Sequence, residues 1–258
     1  MNHQTPIISK AVIKGCIRVV TGLRIGGPGT GVKIGGVDQP VIADPYGKPY
    51  IPGSSLKGKM RSLIEKKERV KFENGKHTCQ SPESYKNCPV CKIWGIMGDK
   101  VKDAPTLTRI IVRDTFLDEN SITEEMHRNL ELRWTEIKVE NAIDRITGTA
   151  LSRSLRQLER VPAGARFSPL EIIYTCYEQD DKEIFKKIFE AMELLEHDYL
   201  GGMGSRGYGK VKFENLVIYW NRPEDYENGN TNQNKVNGGF NTPAMILQHY
   251  EEILNKLS

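Results

Sequence analysis

A single carboxylate, Asp38, stands in the glycine-bounded stretch Lys33-Ile34-Gly35-Gly36-Val37-Asp38-Gln39-Pro40. Downstream, Ile51-Pro52-Gly53-Ser54-Ser55-Leu56-Lys57-Gly58-Lys59-Met60-Arg61 reads as the start of a helix carrying Lys57, Lys59, Arg61 and the hydroxyls of Ser54 and Ser55. Free backbone N–H groups and the positive dipole end make a helix start a ready anion site. A carboxylate beside a bound anion can take a proton or hold a metal. The pairing points to a protein that grips a phosphodiester and cuts it.

A second set of chemistry-bearing residues is His77-x-Cys79-x8-Cys88-x2-Cys91. The two-residue gap in Cys88-Pro89-Val90-Cys91 lets both thiolates reach one tetrahedral ion. The surrounding sequence is polar and has little core of its own, so a structural zinc on His77, Cys79, Cys88 and Cys91 is expected to replace that core. The alternatives are a disulfide or unligated thiols. Cys16 and Cys176 fall in strands and read as inert buried residues.

The third set is Gly201-Gly202-Met203-Gly204-Ser205-Arg206-Gly207-Tyr208-Gly209. It contains G-x-G-x-x-G, but a dinucleotide site needs a strand before and a helix after, and here the order is reversed. The better reading is a loop that a polyanion can approach closely, with Arg206 supplying charge. The bland alternative is a tight turn feeding the last strand. Residues 132–167 alternate apolar side chains with charged ones, including Arg145, Arg153, Arg156, Arg160 and Arg166. A projecting arm with one apolar and one guanidinium side suits that composition, and guanidinium forks match phosphate geometry. A solvated face with internal salt bridges is the alternative, and it is favoured for the individual carboxylates.

The elements that must position these residues follow from periodicity. Strands are expected over 8–20 (Ala11, Ile13, Ile17 and Val19 on one face), over 107–117 (Ile110, Val112 and Phe116), over 168–178 and over 209–220. Helices are expected over 54–69, with Ser54 or Ser55 as N-cap, and over 182–196. The order strand–helix–strand–strand–helix–strand predicts an α+β fold with a ferredoxin-like (RRM-like) core. Insertions at 21–53, 70–106 and 118–167 are too long for plain connections and should carry the activity. The expected division is one domain over 1–220, then a flexible polar linker from 221 and a short C-terminal helix at 243–257 within 221–258.

The 258 residues are 38% hydrophobic and carry a net charge of +4, so any positive surface must be local. No apolar run is long enough to span a membrane. The segment Met1-Asn2-His3-Gln4-Thr5-Pro6 lacks the apolar region of a signal peptide, and a cytoplasmic location is expected. An odd cysteine count of five argues against a fully paired disulfide framework.

Taken in order, Thr21-Gly22-Leu23-Arg24-Ile25-Gly26-Gly27, the Asp38 loop, Pro49 through Arg61, Lys138-Val139-Glu140-Asn141-Ala142-Ile143-Asp144-Arg145-Ile146-Thr147-Gly148, Glu159-Arg160-Val161 and the 201–210 loop closely resemble the repeated backbone subunits of type III-A (Csm) CRISPR effector complexes, within the RAMP superfamily. The resemblance covers about residues 8–220. It implies copies of the chain in a filament along a guide RNA (crRNA), with other subunits of the complex, and a paired target RNA cut at regular intervals.

On that resemblance, Asp38 is the catalytic residue. The region 21–53 is the catalytic loop and 118–167 a thumb, while 70–106, a zinc-knuckle or lid region, lies where the family varies, so its zinc rests on the cysteine spacing and not on the resemblance. Guide contacts fall on Ser54, Ser55, Lys57, Lys59 and Arg61, on Gly202, Gly204, Ser205, Arg206 and Gly207, and on Arg24, Arg145, Arg156 and Arg160. Arg24 stands where the family often has histidine. The protein would read A-form shape while pairing reads sequence. A flipped nucleotide would let its 2′-OH attack the adjacent phosphorus, leaving a 2′,3′-cyclic phosphate and a 5′-OH. Asp38 would hold a divalent cation such as Mg²⁺ or accept the proton; an ordinary aspartate is a poor base at neutral pH, which favours the metal.

Two rivals remain from sequence. One is a non-catalytic RNA-binding scaffold. The other is a guide-precursor endonuclease using a histidine, of which His3, His127, His197 and His249 lie outside the cluster.

Overall fold

The computed structural model describes residues 6–27, 38–96, 101 and 107–257. In chain order its elements are β1 (Ser9–Val19), β2 (Tyr50–Ile51), α1 (Gly53–Lys67), α2 (Pro82–Lys86), α3 (Pro89–Trp94), β3 (Ile110–Val112), β4 (Thr115–Phe116), α4 (Glu124–Asn129), β5 (Glu136–Glu140), β6 (Arg156–Arg160), β7 (Arg166–Cys176), α5 (Asp181–Ile184), α6 (Lys186–Glu196), β8 (Val211–Asn221), α7 (Pro223–Glu227), α8 (Pro243–Gln248) and α9 (Tyr250–Leu254).

Period-two burial builds the main sheet. Ala11, Ile13, Ile17 and Val19 are fully buried on one face of β1, and Leu170, Ile172, Tyr174 and Cys176 do the same on β7. β1 pairs antiparallel with β7 on one side (Ile13 opposite Ile172) and with β8 on the other (Ile13 opposite Ile218). The sheet order is β3-β7-β1-β8. One face is covered by α1, through Leu56, Met60, Leu63 and Ile64, and by α6, through Ile188, Phe189, Met192 and Leu195, all in one core cluster. A side chain at Gly15 would place its Cβ 2.8 Å from Leu216, where the β1–β8 register shifts.

The structure corrects several sequence expectations. The strand expected over 107–117 is two strands in two sheets: Ile110–Val112 pairs with β7, while Thr115–Phe116 pairs with β2. Phe116 is therefore exposed and stacks on Tyr50 with ring centroids 5.6 Å apart. The break lies at Asp114, whose Oδ1 accepts the Gly53 N–H at 2.7 Å. That contact also corrects the capping expectation, because the N-cap is Pro52 and no side-chain cap comes from Ser54 or Ser55. The helix expected over 182–196 is interrupted at Phe185, which is buried between α5 and α6.

The segment expected as a flexible linker packs along β8. Asn237, 1% exposed, accepts from Ile218 N at 2.9 Å and donates to the Leu216 carbonyl at 2.9 Å, so a side chain completes the ladder. The C-terminal stripe is carried by two short helices, with Ile246, Tyr250 and Ile253 buried in the main core. Among the described residues no helix is long and apolar enough to cross a membrane.

Candidate functional site

Asp38 is exposed at the foot of the β5–β6 hairpin. Its Oδ2 accepts the Gln157 N–H at 3.1 Å. The next residue, Gln39, bridges to Leu158, and the Glu159 N–H donates to the Gln39 carbonyl at 3.2 Å. Glu159 fixes the loop from its other side, accepting from Val41 N at 2.8 Å and from the Thr135 hydroxyl at 2.6 Å. The exposed carboxylate thus stands on a stitched backbone. Lys33, Gly35, Gly36 and their neighbours at 28–37 lie outside the described residues.

Helix α1, expected as a cationic cradle, divides its cations between two sides. Lys59 turns toward the glycine loop, with Nζ 3.1 Å from Asp198 Oδ2 and 3.8 Å from the centre of the Tyr199 ring. Arg61 turns the other way: it donates to the Gly95 carbonyl at 2.9 Å and the His77 carbonyl at 2.8 Å, and pairs with Glu65 at 2.7 Å. Lys57 lines a cleft of about 640 Å³ together with Arg61, Lys76, Thr78, Trp94 and Thr108. Burial, then the neighbouring Arg61 charge, push the Lys57 ammonium below its usual range. Ser54 is exposed and Ser55 half-buried at the helix start.

The glycine loop follows α6 and is built by close approach. Its Gly209 has φ +77, and a Cβ there would lie 2.1 Å from the Leu200 carbonyl oxygen; Gly201, φ +78, would meet the Arg24 carbonyl oxygen at 2.2 Å. Gly202 N donates to that same carbonyl at 2.8 Å, so Arg24 lies against the loop. Gly204, Ser205 and Arg206 form one 3-10 turn closed by Gly207 at φ +85. Arg206 donates to Glu140 Oε2 on β5 at 3.2 Å. Leu23 bridges to Val161 and Gly26 to Val41, so the loop, the 22–26 strip, the Asp38 strip and the hairpin base form one continuous band. Arg24, Lys59, Arg156, Arg160 and the loop residues come together there.

Arg145 does not join them. It is exposed in the tip turn of the hairpin, where Asp144 Oδ1 accepts from Ile146 N at 2.8 Å and Thr147 N at 3.0 Å. The arm bears Val139, Ile143, Ile146, Leu151 and Leu155 as exposed apolar side chains. Arg160 pairs with Glu136 across the hairpin at 2.7 Å. Among the described residues no partner reaches the buried Nε of Arg24 or of Arg156.

The cysteine cluster lies beyond Arg61. The ligand atoms of His77, Cys79, Cys88 and Cys91 all lie within 4.8 Å of one another. Cys88 is the N-cap of α3, with Pro89 at the first helical position and Cys91 N donating to its Sγ at 3.4 Å. His77 Nδ1 is 2.9 Å from the Lys71 carbonyl and its Nε2 is 3.3 Å from Cys88 Sγ. A proton held on Nδ1 by that carbonyl leaves Nε2 as the ligand atom. Hydrogen bonding from Cys91 draws the Cys88 thiol down to about 5, while the same pairing and burial push Cys91 up; burial pushes Cys79 up. Three thiols and an imidazole converging on one point form a donor set that a divalent ion would complete. A second acidic group, Glu178, Asp180 and Asp181, is already engaged in ion pairs with Lys92 and Arg109.

Sequence reading missed the partners of its own cations: Asp198 and Tyr199 for Lys59, Glu140 for Arg206, and the carbonyls that hold Arg61. The one available signal was the spacing of Glu136 and Glu140 opposite Arg160 and Arg156 in the hairpin register.

Residues 16–212 match the RAMP superfamily. A Methanocaldococcus jannaschii protein named CRISPR system Cms endoribonuclease Csm3 is 44% identical over 226 residues, covering 88% of this chain and 87% of its own. Proteins of the same name from Methanothermobacter thermautotrophicus and Streptococcus thermophilus are 39% and 41% identical, covering 91% and 78% of this chain and 95% and 85% of their own. A chain of the crystal structure of a Csm3–Csm4 subcomplex in the type III-A CRISPR-Cas interference complex superposes with a TM-score of 0.58 at 30% identity, covering 96% of this chain and 97% of that one.

Proposed function

This chain belongs to the RAMP superfamily, alongside the Csm3 endoribonucleases, and on that premise we propose that it is a guide-RNA-binding backbone subunit of a type III-A CRISPR interference complex that cleaves complementary target RNA with Asp38. The observation that carries this reading is the placement of Asp38. Its carboxylate is exposed, held by one peptide N–H of the hairpin, on the same band as the glycine loop. A phosphodiester lying along that band meets the half-buried side chains of Arg24 and Arg156.

The hairpin's exposed apolar side chains suit insertion between bases, which would unstack one nucleotide and leave its 2′-OH free to align with the next phosphorus. Asp38 is the residue that would hold a divalent cation, which supplies charge stabilisation to the phosphorane when bound. The described histidines support the aspartate reading over a histidine-based processing enzyme. His127 lies against Trp134, His197 against Glu193 of its own helix, and His249 against Phe240 and Glu252.

The scaffold reads as ferredoxin-like, supported by the β3-β7-β1-β8 order with both long helices on one face. The four-ligand cluster reads as a structural zinc site, supported by the convergence of its donors and the oriented His77 ring. The remaining partners are copies of this chain in a filament and other subunits of the complex, in the cytoplasm.

Guide-loaded complex carrying Asp38→Ala tests the function. Loss of target cleavage by about a hundredfold or more, with guide and target still bound, supports it. Cleavage at the usual spacing by that variant assigns the cut to another subunit and leaves this chain a scaffold.

A further inference from the structure

Glu140 ends β5 with its side chain turned onto the glycine loop. Arg206 reaches its Oε2 at 3.2 Å, the Tyr208 hydroxyl donates to its Oε1 at 2.9 Å, and Lys138 Nζ lies 3.3 Å from the same oxygen. The Tyr208 ring is flanked in turn by Lys138 and Arg160, 4.6 and 5.0 Å from its centre. Both carboxylate oxygens are therefore served by the donors that a phosphate's oxygens take: a guanidinium, an ammonium and a hydroxyl. The Glu140 side chain is 14% exposed, while that of Arg206 is 49% exposed. The cation is open to an incoming ligand, and the anion that neutralises it is tucked behind it. Desolvation works against the Glu140 charge, but the Tyr208 and Lys138 contacts outweigh it and hold the carboxyl below its usual range. Only displacement, not protonation, frees Arg206 near neutral pH.

We propose that Glu140 occupies the phosphate position of the glycine loop in the RNA-free chain, as a latch that a phosphodiester of single-stranded RNA displaces from Arg206. The proposal rests on the reading of this loop as a guide-binding surface. It adds that the surface is held shut by the protein's own acid. The latch also joins two working parts. Glu140 lies opposite Arg156 in the hairpin, next to Gln157, whose N–H holds Asp38. Phosphate on Arg206 therefore releases, from the loop side, the same hairpin that grips the carboxylate strip.

The experiment measures binding of a labelled single-stranded RNA of guide length to the purified full chain. Four proteins are compared: wild type, Glu140→Gln, Arg206→Ala and the double variant. The expected result is roughly three- to fivefold tighter binding for Glu140→Gln, weaker binding for Arg206→Ala, and no gain from the Gln substitution in the Arg206→Ala background. Glu140→Asp keeps the charge but shortens the reach, and falls between wild type and Gln; it carries the test if the Gln variant fails to fold. Wild type that binds RNA while Glu140→Gln binds equally or more weakly overturns the latch and leaves the guide-binding reading standing. A gain that persists without Arg206 also overturns it, because the acid would then act only as distant repulsion. No RNA binding by any of the four overturns the guide-binding reading and the latch together.

Discussion

Asp114 caps helix α1 from outside the helix: its Oδ1 takes the Gly53 N–H at 2.7 Å across a separation of 61 residues. The contact forces the chain to leave the main sheet after Val112, and it brings the Val112 carbonyl so close to Gly53 that a Cβ there would lie 2.1 Å away. One carboxylate thus ends a strand, starts a helix and occupies the first of the N–H groups that the sequence offered to an anion. The prediction is that Asp114→Ala costs about 1 kcal/mol of stability, the usual value of a lost N-cap, read from urea unfolding with Asp114→Asn as the milder control.

Arg61 joins α1 to the cysteine region through the Gly95 and His77 carbonyls. A residue that served only RNA would, when changed, lower RNA affinity and leave the cluster alone. The geometry predicts the reverse emphasis. Arg61→Met loosens the 77–95 wall and raises the rate of metal loss to a chromogenic chelator several-fold, with a stability cost of about 2 kcal/mol for the charged hydrogen bonds. An unchanged metal release rate would show that the tether is not needed there.

Arg109 and Asp181 form a buried pair, 3% and 0% exposed, with Nε and Oδ1 2.6 Å apart. Asp181 also receives the Tyr177 and Glu178 N–H groups, and Arg109 also reaches the Tyr85 hydroxyl. Truncating the arginine leaves the acid buried with two peptide donors and with Lys92, 3.8 Å away and shared with Glu178 and Asp180, as its remaining cation. Arg109→Ala is expected to destabilise the fold by about 3 kcal/mol, at the lower end for a broken buried pair because the donors remain. Equilibrium unfolding reads this directly, and a change under about 1 kcal/mol would mean that Asp181 is satisfied without it.

The parts of this molecule legible in its sequence are those governed by local periodicity. Ile13 and Ile17 had to face the core because their strand alternates, and Leu56, Met60 and Ile64 had to face it because their helix repeats. What stayed hidden was set by distant partners. The capping of Gly53 by Asp114, the tie of Lys59 to Asp198 and the grip of Glu140 on Arg206 join residues that no local pattern connects. Composition misled where one residue type serves two ends. The Asn-rich stretch after 221 reads as coil, yet Asn237 spends its amide on the β8 backbone as a strand would. The cysteine cluster was legible because metal spacing is itself a local pattern.

The thiols of that cluster make a proton-counting prediction. In the metal-free chain Cys91 donates to the Cys88 sulfur and holds that thiol below its usual range. Cys79 and Cys91 are pushed up, by burial and by the Cys88 pairing respectively, and hold their protons. Zinc binds thiolates, so loading all three cysteines at pH 7 must release the protons of Cys79 and Cys91, about two in all. The sign follows: the raised groups make zinc affinity climb as pH rises through the neutral range, and zinc is lost as pH falls. Titrating zinc into metal-free protein in two buffers of different ionisation enthalpy gives the proton count from the difference in observed heat. Release near zero would mean that Cys79 and Cys91 do not ligate, and that the four donors converge without sharing an ion.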